Sequence, residues 1–277
     1  MKLSFTLDEK VFDEISPKHL IEKASSRGVS SLELSPDTDV LPLDTYKNVL
    51  NIVSSNNLEL NYHIPYFINK IYELEHFSLY EDKLKDRYSS FLNLIESFQQ
   101  DLNNKPAIVI HGANYKENER LKGMDNTLKF LDWMLNIVTK KNLPFTLAIE
   151  TLRKKEVRNT LDNREDLFFI LDSFKSENLK ICWDMCHDKL NFFPKDIPID
   201  DKFLKHVVYS HIHGHNLEDD ASHVSLVKSD LDYSLELDKL KKYGFKGAIN
   251  IELLSNCSKA TYLEDLFKDI SYINRLI

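Results

Sequence analysis

The sequence predicts an α/β chain folded as one (β/α)8 barrel domain over residues 1–277. Three observations carry that expectation. Short apolar runs of strand length recur eight times, separated by longer stretches with helical periodicity. Alternation of this kind builds strand–helix–strand units on a parallel sheet. The length of 277 residues suits a closed barrel, which needs about 250. An open doubly wound sheet would place a glycine-rich turn after its first strand, yet only six glycines occur and the first is Gly28.

The elements follow in order. Lys2–Leu7 is the first strand candidate. A helix runs from Pro17 to Arg27, with Ser16 as its cap and Gly28 as its stop. The second strand, Ser31–Leu34, leads to a helix over Leu43–Asn56 with apolar positions at Tyr46, Val49, Leu50 and Val53. After the third strand, Leu58–His63, the helical stretch Leu84–Leu102 carries Tyr88, Phe91, Leu92, Ile95 and Phe98. The fourth strand, Ala107–His111, precedes Thr127–Lys140, whose Leu128, Leu131, Met134, Leu135 and Val138 share a face. Thr146–Glu150 and the helix Asn163–Phe174 come next, then the sixth strand, Leu179–Asp184. Val207–His213 is followed by the helix Leu235–Tyr243, and Ala248–Leu253 by the closing helix Tyr262–Ile277.

Composition excludes several classes of function. The chain has 36 basic and 44 acidic side chains, a formal net charge of −8. That balance argues against broad electrostatic capture of nucleic acid and leaves only a local basic groove open. With 42% hydrophobic and 11% aromatic residues, the chain is too apolar to be disordered. No apolar run approaches the ~18 residues of a membrane helix, so no membrane partner is expected. Met1 is followed by Lys2 and then Asp8-Glu9-Lys10, which is no signal-peptide pattern. The three cysteines, Cys182, Cys186 and Cys257, lack framework spacing and fit a reducing cytoplasm. Cys182 and Cys186 read as buried small apolar residues rather than metal ligands.

The chemistry gathers at the strand ends. The second strand carries Glu33; the third ends at His63, the fourth at His111, the fifth at Glu150 and the sixth at Asp184. The seventh ends at His211 and His213, and the eighth carries Glu252. A polar residue closing an apolar run is costly unless solvated or paired. In a barrel, the C-terminal strand ends surround one mouth, so these side chains would converge. Converging His, Asp and Glu suit a divalent cation, which would offset the repulsion among Glu150, Asp184 and Glu252. A lone His at a strand end reads equally as a hydrogen-bonded loop residue, and a lone Glu as a solvated cap. That plainer reading must hold on six successive strands for His63, His111, Glu150, Asp184, His213 and Glu252. Glu33 stands open between a cap and a substrate contact. His187, three residues past Asp184, and His223, in the loop after the seventh strand, lie just beyond strand ends. Arg153, Lys154 and Lys155 read either as a solvated charge run or as a phosphate holder. His19, His76 and His206 read as surface residues.

On these segments the sequence resembles the xylose isomerase-like TIM-barrel superfamily, whose members include sugar-phosphate isomerases and epimerases and endonuclease IV-type abasic-site enzymes. The resemblance runs through Tyr62-His63-Ile64-Pro65-Tyr66, Val109-Ile110-His111-Gly112, Ala148-Ile149-Glu150-Thr151, Trp183-Asp184-Met185-Cys186-His187, His211-Ile212-His213 and Gly244–Glu252. It implies a core metal site of Glu150, Asp184, His213 and Glu252. It also implies catalytic roles for Glu150 and Glu252 as proton-trading carboxylates and for His187 against a substrate oxygen. In the endonuclease branch His63 and His111 would match ligands of a further metal, and His187 and His223 two ligands of a third. That branch's remaining third-metal Asp falls at Ala221, with Asp219 and Asp220 out of register. Tyr66 and Asn69 resemble its DNA-contacting loop.

The expected function is a divalent-metal-dependent isomerase or epimerase of a small sugar or sugar phosphate. Zn, Mn, Co or Mg would suit its N- and O-rich ligands, with one ion expected and two or three open. A metal between a carbonyl and its neighbouring hydroxyl acidifies the adjacent C–H and stabilises an enediolate, and flanking carboxylates can remove and return the proton. Glu33, Arg153 and Lys155 are the substrate-binding candidates. An abasic-site phosphodiesterase is the first alternative. A metal- or ligand-binding barrel without turnover is the second.

Overall fold

The computed structural model describes residues 1–12, 14–38, 41–65, 77–78, 80–100, 102, 104–116, 118–154, 158–254 and 259–277. Lys155, His76, Tyr66, Asn69 and Cys257 lie outside the described residues.

Eight parallel strands carry the fold: β1 (Lys2–Thr6), β2 (Val29–Leu34), β3 (Glu59–His63), β4 (Ala107–Ile110), β5 (Thr146–Glu150), β6 (Leu179–Asp184), β7 (Val207–Ile212) and β8 (Ala248–Ile251). They are the strands of a closed α/β barrel, as the alternation predicts. The main helices between them are α1 (Pro17–Ser25), α2 (Leu43–Ser55), α3 (Glu81–Gln99), α4 (Arg120–Lys140), α5 (Arg164–Phe174), α6 (Met185–Phe192), α7 (Asp201–Leu204), α8 (Ser234–Tyr243) and α9 (Lys259–Leu276). Among the described residues no helix is long and apolar enough to cross a membrane.

The chain falls into two compact units. The first comprises 1–34, 38–61 and 198–277. In it β2, β1, β8 and β7 pair side by side, with Thr6 opposite Glu33, Leu3 opposite Ile249, and Asn250 opposite His211. Its core is aliphatic and aromatic: Phe5, Leu20, Val49, Val53, Ile249, Tyr262 and Leu266 are buried. The second comprises 35–37 and 62–197. There the end of β3 pairs with β4, β4 with β5 and β5 with β6, so that His63 lies opposite Val109 and Glu150 opposite Cys182. Phe130 of α4 packs edge-on against Tyr88 at 4.9 Å and Phe77 at 5.8 Å between ring centres.

Local chemistry sets several element ends. Pro17 opens α1, and Gly28, at φ 89°, turns the chain into β2. Asn163 accepts a hydrogen bond from the Asp166 N–H and caps α5. Asp184 is both the last residue of β6 and the cap of α6, so no loop separates strand from helix. The sequence pattern shows neither α6 nor α7, which are short and lack a sustained apolar stripe. It also starts the fourth helix at Thr127, whereas α4 begins at Arg120. The first turns of α4 hold Gly123 and a buried Asn126 in place of apolar side chains. Two small antiparallel ribbons escape sequence reading too: Asn114–Tyr115 with Arg158–Asn159, and Gly214–Asn216 with Ala221–Val224.

Candidate metal centre

In the unit holding β4 to β6, four strand ends supply the polar groups. His63 closes β3, and Glu150 and Asp184 close β5 and β6. His111 comes one residue after β4. Gly112 follows it, where a side-chain carbon would sit 2.3 Å from Thr160 Oγ1. Only glycine lets the chain leave β4 so close to the ribbon.

His63 Nε2 and His111 Nε2 are 3.0 Å apart, and both face Glu150 Oε2, at 3.5 and 2.7 Å. His63 Nδ1 lies 2.8 Å from the Ile64 carbonyl and donates to it, which leaves the Nε2 lone pair aimed at His111 and Glu150. A lone pair held against a second imidazole and a carboxylate needs a proton or a cation between them. One ligand atom from each of these three residues falls in a group within 4.8 Å, a nitrogen- and oxygen-donor set that a divalent ion fits.

Asp184 is fixed by backbone. Its Oδ1 accepts from the His187 N–H at 2.7 Å, and its own N–H donates to Thr151 Oγ1 at 2.7 Å. Thr151 Oγ1 donates back to the Asp184 carbonyl at 3.1 Å. His187 is buried, with Nδ1 3.2 Å from the Thr151 carbonyl, 3.2 Å from Asp184 Oδ2 and 3.7 Å from Glu150 Oε1. Behind this turn, Trp183 Nε1 and Arg164 Nη2 both donate to Asp188 Oδ2, at 2.9 and 2.7 Å. Burial raises the Asp188 carboxyl above its ordinary range, and Arg164 opposes that rise.

The other unit gathers its own set. Glu33 is wholly buried. Its Oε1 accepts from Thr6 Oγ1 at 3.0 Å and from Asn250 Nδ2 at 3.3 Å, and its Oε2 from His211 Nε2 at 2.8 Å. The expected substrate contact is thus an interior carboxylate held on three sides. The opposite nitrogen of His211, Nδ1, lies 3.3 Å from Glu252 Oε2. His223 Nδ1 lies 3.5 Å from the same oxygen and 3.3 Å from the Glu252 carbonyl. His213 stacks on His223 with ring centres 4.0 Å apart.

The bonding of the two β7 histidines separates them. The His223 N–H donates to His213 Nδ1 at 3.1 Å. The same nitrogen lies 3.1 Å from the Gly214 carbonyl, so both short contacts of the His213 Nδ1 are to backbone. His211 donates from Nε2 to Glu33 and turns Nδ1 toward Glu252. Sequence reasoning placed His211 at a strand end but outside the ligand set. The signal that could have found it is its register partner Asn250, which with Thr6 surrounds Glu33. His223 holds a left-handed backbone at φ 59°, unusual for a residue with a side chain. Ala221 pairs with Asn216 in the ribbon, and Asp219 and Asp220 are exposed. Arg153 is half-exposed three residues past Glu150. Cys182 and Cys186 are buried free thiols.

Comparison with known proteins agrees with this architecture. Residues 21–269 match the family described as xylose isomerase-like TIM barrel. The chain is 26% identical over 157 residues to "Uncharacterized protein MJ1188" of Methanocaldococcus jannaschii, and the match spans 54% of each protein. A D-allulose 3-epimerase from Methylomonas sp., solved in complex with D-allulose, superposes with a TM-score of 0.71 at 12% identity, covering 100% of this chain and 97% of that one. An AP endonuclease, family 2, from Brucella melitensis gives 0.67 at 13% identity, covering 91% and 93%.

Proposed function

The chain belongs to the xylose isomerase-like TIM-barrel family, and from that premise we propose that it is a divalent-metal-dependent epimerase or isomerase of a small sugar. One observation carries the reading. Each unit presents a strand-end glutamate, Glu150 in one and Glu252 in the other, with imidazole nitrogens gathered on its carboxylate. The D-allulose 3-epimerase with the same fold supports a ketose-sized substrate.

Glu150, Asp184 and Glu252 hold the ion in this reading, together with an imidazole of β7. His213 is the β7 residue expected from sequence, but His211 is the one whose Nδ1 lies 3.3 Å from the Glu252 carboxylate, with Glu33 on its other nitrogen. When bound, the ion polarises a substrate carbonyl and acidifies the neighbouring C–H. Glu150 and Glu252 act as the base that removes that proton and the acid that returns it. His187 keeps its Nδ1 on the Thr151 carbonyl, so Nε2 is the nitrogen that meets a substrate hydroxyl. Arg153, with Lys155 beside it in sequence, would meet a phosphate on a phosphorylated substrate.

The test is C–H exchange in deuterium oxide with Mn2+, across ketoses, aldoses and their phosphates. Exchange with one sugar, lost in Glu150→Gln, is the expected result; silence across the panel overturns the reading. The compact His63–His111–Glu150 group favours a second reading, because an abasic-site phosphodiesterase needs a further metal position there. Nicking of an abasic duplex, with more than one ion per chain, would move the function to that branch.

A further inference from the structure

Glu33 has no role in the proposed chemistry, yet it is among the most deeply buried ionisable groups of its unit. A carboxylate with no solvent access survives in an apolar interior only if its oxygens are bonded and its charge compensated. The structure supplies the bonds. Thr6 Oγ1 donates to Oε1 at 3.0 Å, and Asn250 Nδ2 donates to Thr6 Oγ1 at 2.7 Å and to Glu33 Oε1 at 3.3 Å. His211 Nε2 donates to Oε2 at 2.8 Å. These residues stand on four neighbouring strands in the order β2, β1, β8, β7, and the register places Thr6 opposite Glu33 and Asn250 opposite His211. The polar chain therefore crosses the whole unit. It ends at Glu252, whose Oε2 is 3.3 Å from His211 Nδ1.

We infer that Glu33 is a positioning residue, which fixes the ring of His211 so that its Nδ1 and the Glu252 carboxylate face each other and can share one cation. A neutral imidazole has one N–H and one lone pair, and the partner of the first decides the direction of the second. Glu33 accepts only, so it holds the N–H on Nε2 and turns Nδ1 toward Glu252. The neighbouring Thr6 and Asn250 side chains hold the Glu33 carboxylate itself in one rotamer. A shorter or uncharged group at position 33 lets the ring rotate or reverse its tautomer, and Nδ1 no longer faces the Glu252 carboxylate as a second donor.

The inference rests on the reading of Glu252 as a metal-holding carboxylate, and the experiment separates the two. Mn2+ affinity is measured by titration calorimetry on the full chain as Glu33→Gln, Glu252→Gln and the double variant, with melting temperatures recorded for each. Glu33→Gln keeps the shape and is expected to weaken Mn2+ binding about tenfold or more, in the range found when outer-shell partners of ligands are removed. The double variant is expected to lose less than the two single losses combined, because Glu33 works through the His211–Glu252 pair that Glu252→Gln already breaks. Thr6→Val leaves the carboxylate in place and removes one of its donors; it should give a smaller loss in the same direction, and it decides the matter if Glu33→Gln does not fold. Unchanged affinity in Glu33→Gln beside a clear loss in Glu252→Gln overturns the inference alone, as do two losses that simply add. Unchanged affinity in Glu252→Gln overturns the metal reading underneath it.

Discussion

The two units fix their metal-type side chains by different means. In the unit holding β4 to β6, backbone does most of the holding. Asp184 caps α6, bonds the Thr151 hydroxyl in both directions through its own N–H and carbonyl, and is braced by Trp183 and Arg164 on Asp188. In the unit holding β7 and β8, side chains hold one another: Thr6 and Asn250 hold Glu33, Glu33 holds His211, and His211 meets Glu252. Backbone-held ligands come with the strand-to-helix junction and are as rigid as the fold. Side-chain-held ligands depend on each member of a buried chain, and a change at one end travels to the other.

The largest test is whether both units take part in chemistry at all. Glu150→Gln and Glu252→Gln should each slow metal-dependent C–H exchange by 10²–10⁴-fold, the usual scale for losing a positioned acid or base. NMR exchange rates that fall in only one of the two variants would break the symmetry of roles. Next comes Asp188→Ala. It removes the carboxylate that the Arg164 guanidinium and the Trp183 N–H both bond and should destabilise the chain by about 3–5 kcal/mol in urea unfolding. A loss under 1 kcal/mol would show that the brace behind Asp184 is dispensable. Asp184→Ala should lower bound metal at least tenfold by elemental analysis. It also removes the α6 cap, at a stability cost of about 1 kcal/mol. Full metal occupancy in that variant would refute the ligand assignment.

The last test, confined to one pH window, belongs to the side-chain-held unit. Burial raises the Asp269 carboxyl to about 6, although the Ser225 hydroxyl and the Leu226 and Val227 N–H groups pull the other way. The folded value lies above the unfolded one, so this group's contribution is full below about pH 4 and is lost as pH rises through about 6. The difference is on the order of 3 kcal/mol. Asp269→Asn should remove that slope from melting temperature against pH between 4 and 6. Parallel curves for the two proteins would show that Asp269 does not titrate there.

By itself the sequence determined the fold class, the eight strands and the positions where polar residues close apolar runs. Short apolar runs and their bounding residues are local properties, and His63, Glu150 and Asp184 are the polar residues that mark the strand ends. The rest was decided by the tertiary structure. Strand periodicity cannot say which of His211 and His213 meets Glu252, because both close one strand and only the register with Asn250 and the Glu33 bond distinguish them. Nor could it place Glu33, whose neighbours Thr6, His211 and Asn250 are brought to it by strand pairing over long separations in the chain. α6 and the two ribbons carry no apolar period of their own; they form because the strand ends and side chains beside them offer bonds that a local pattern does not contain.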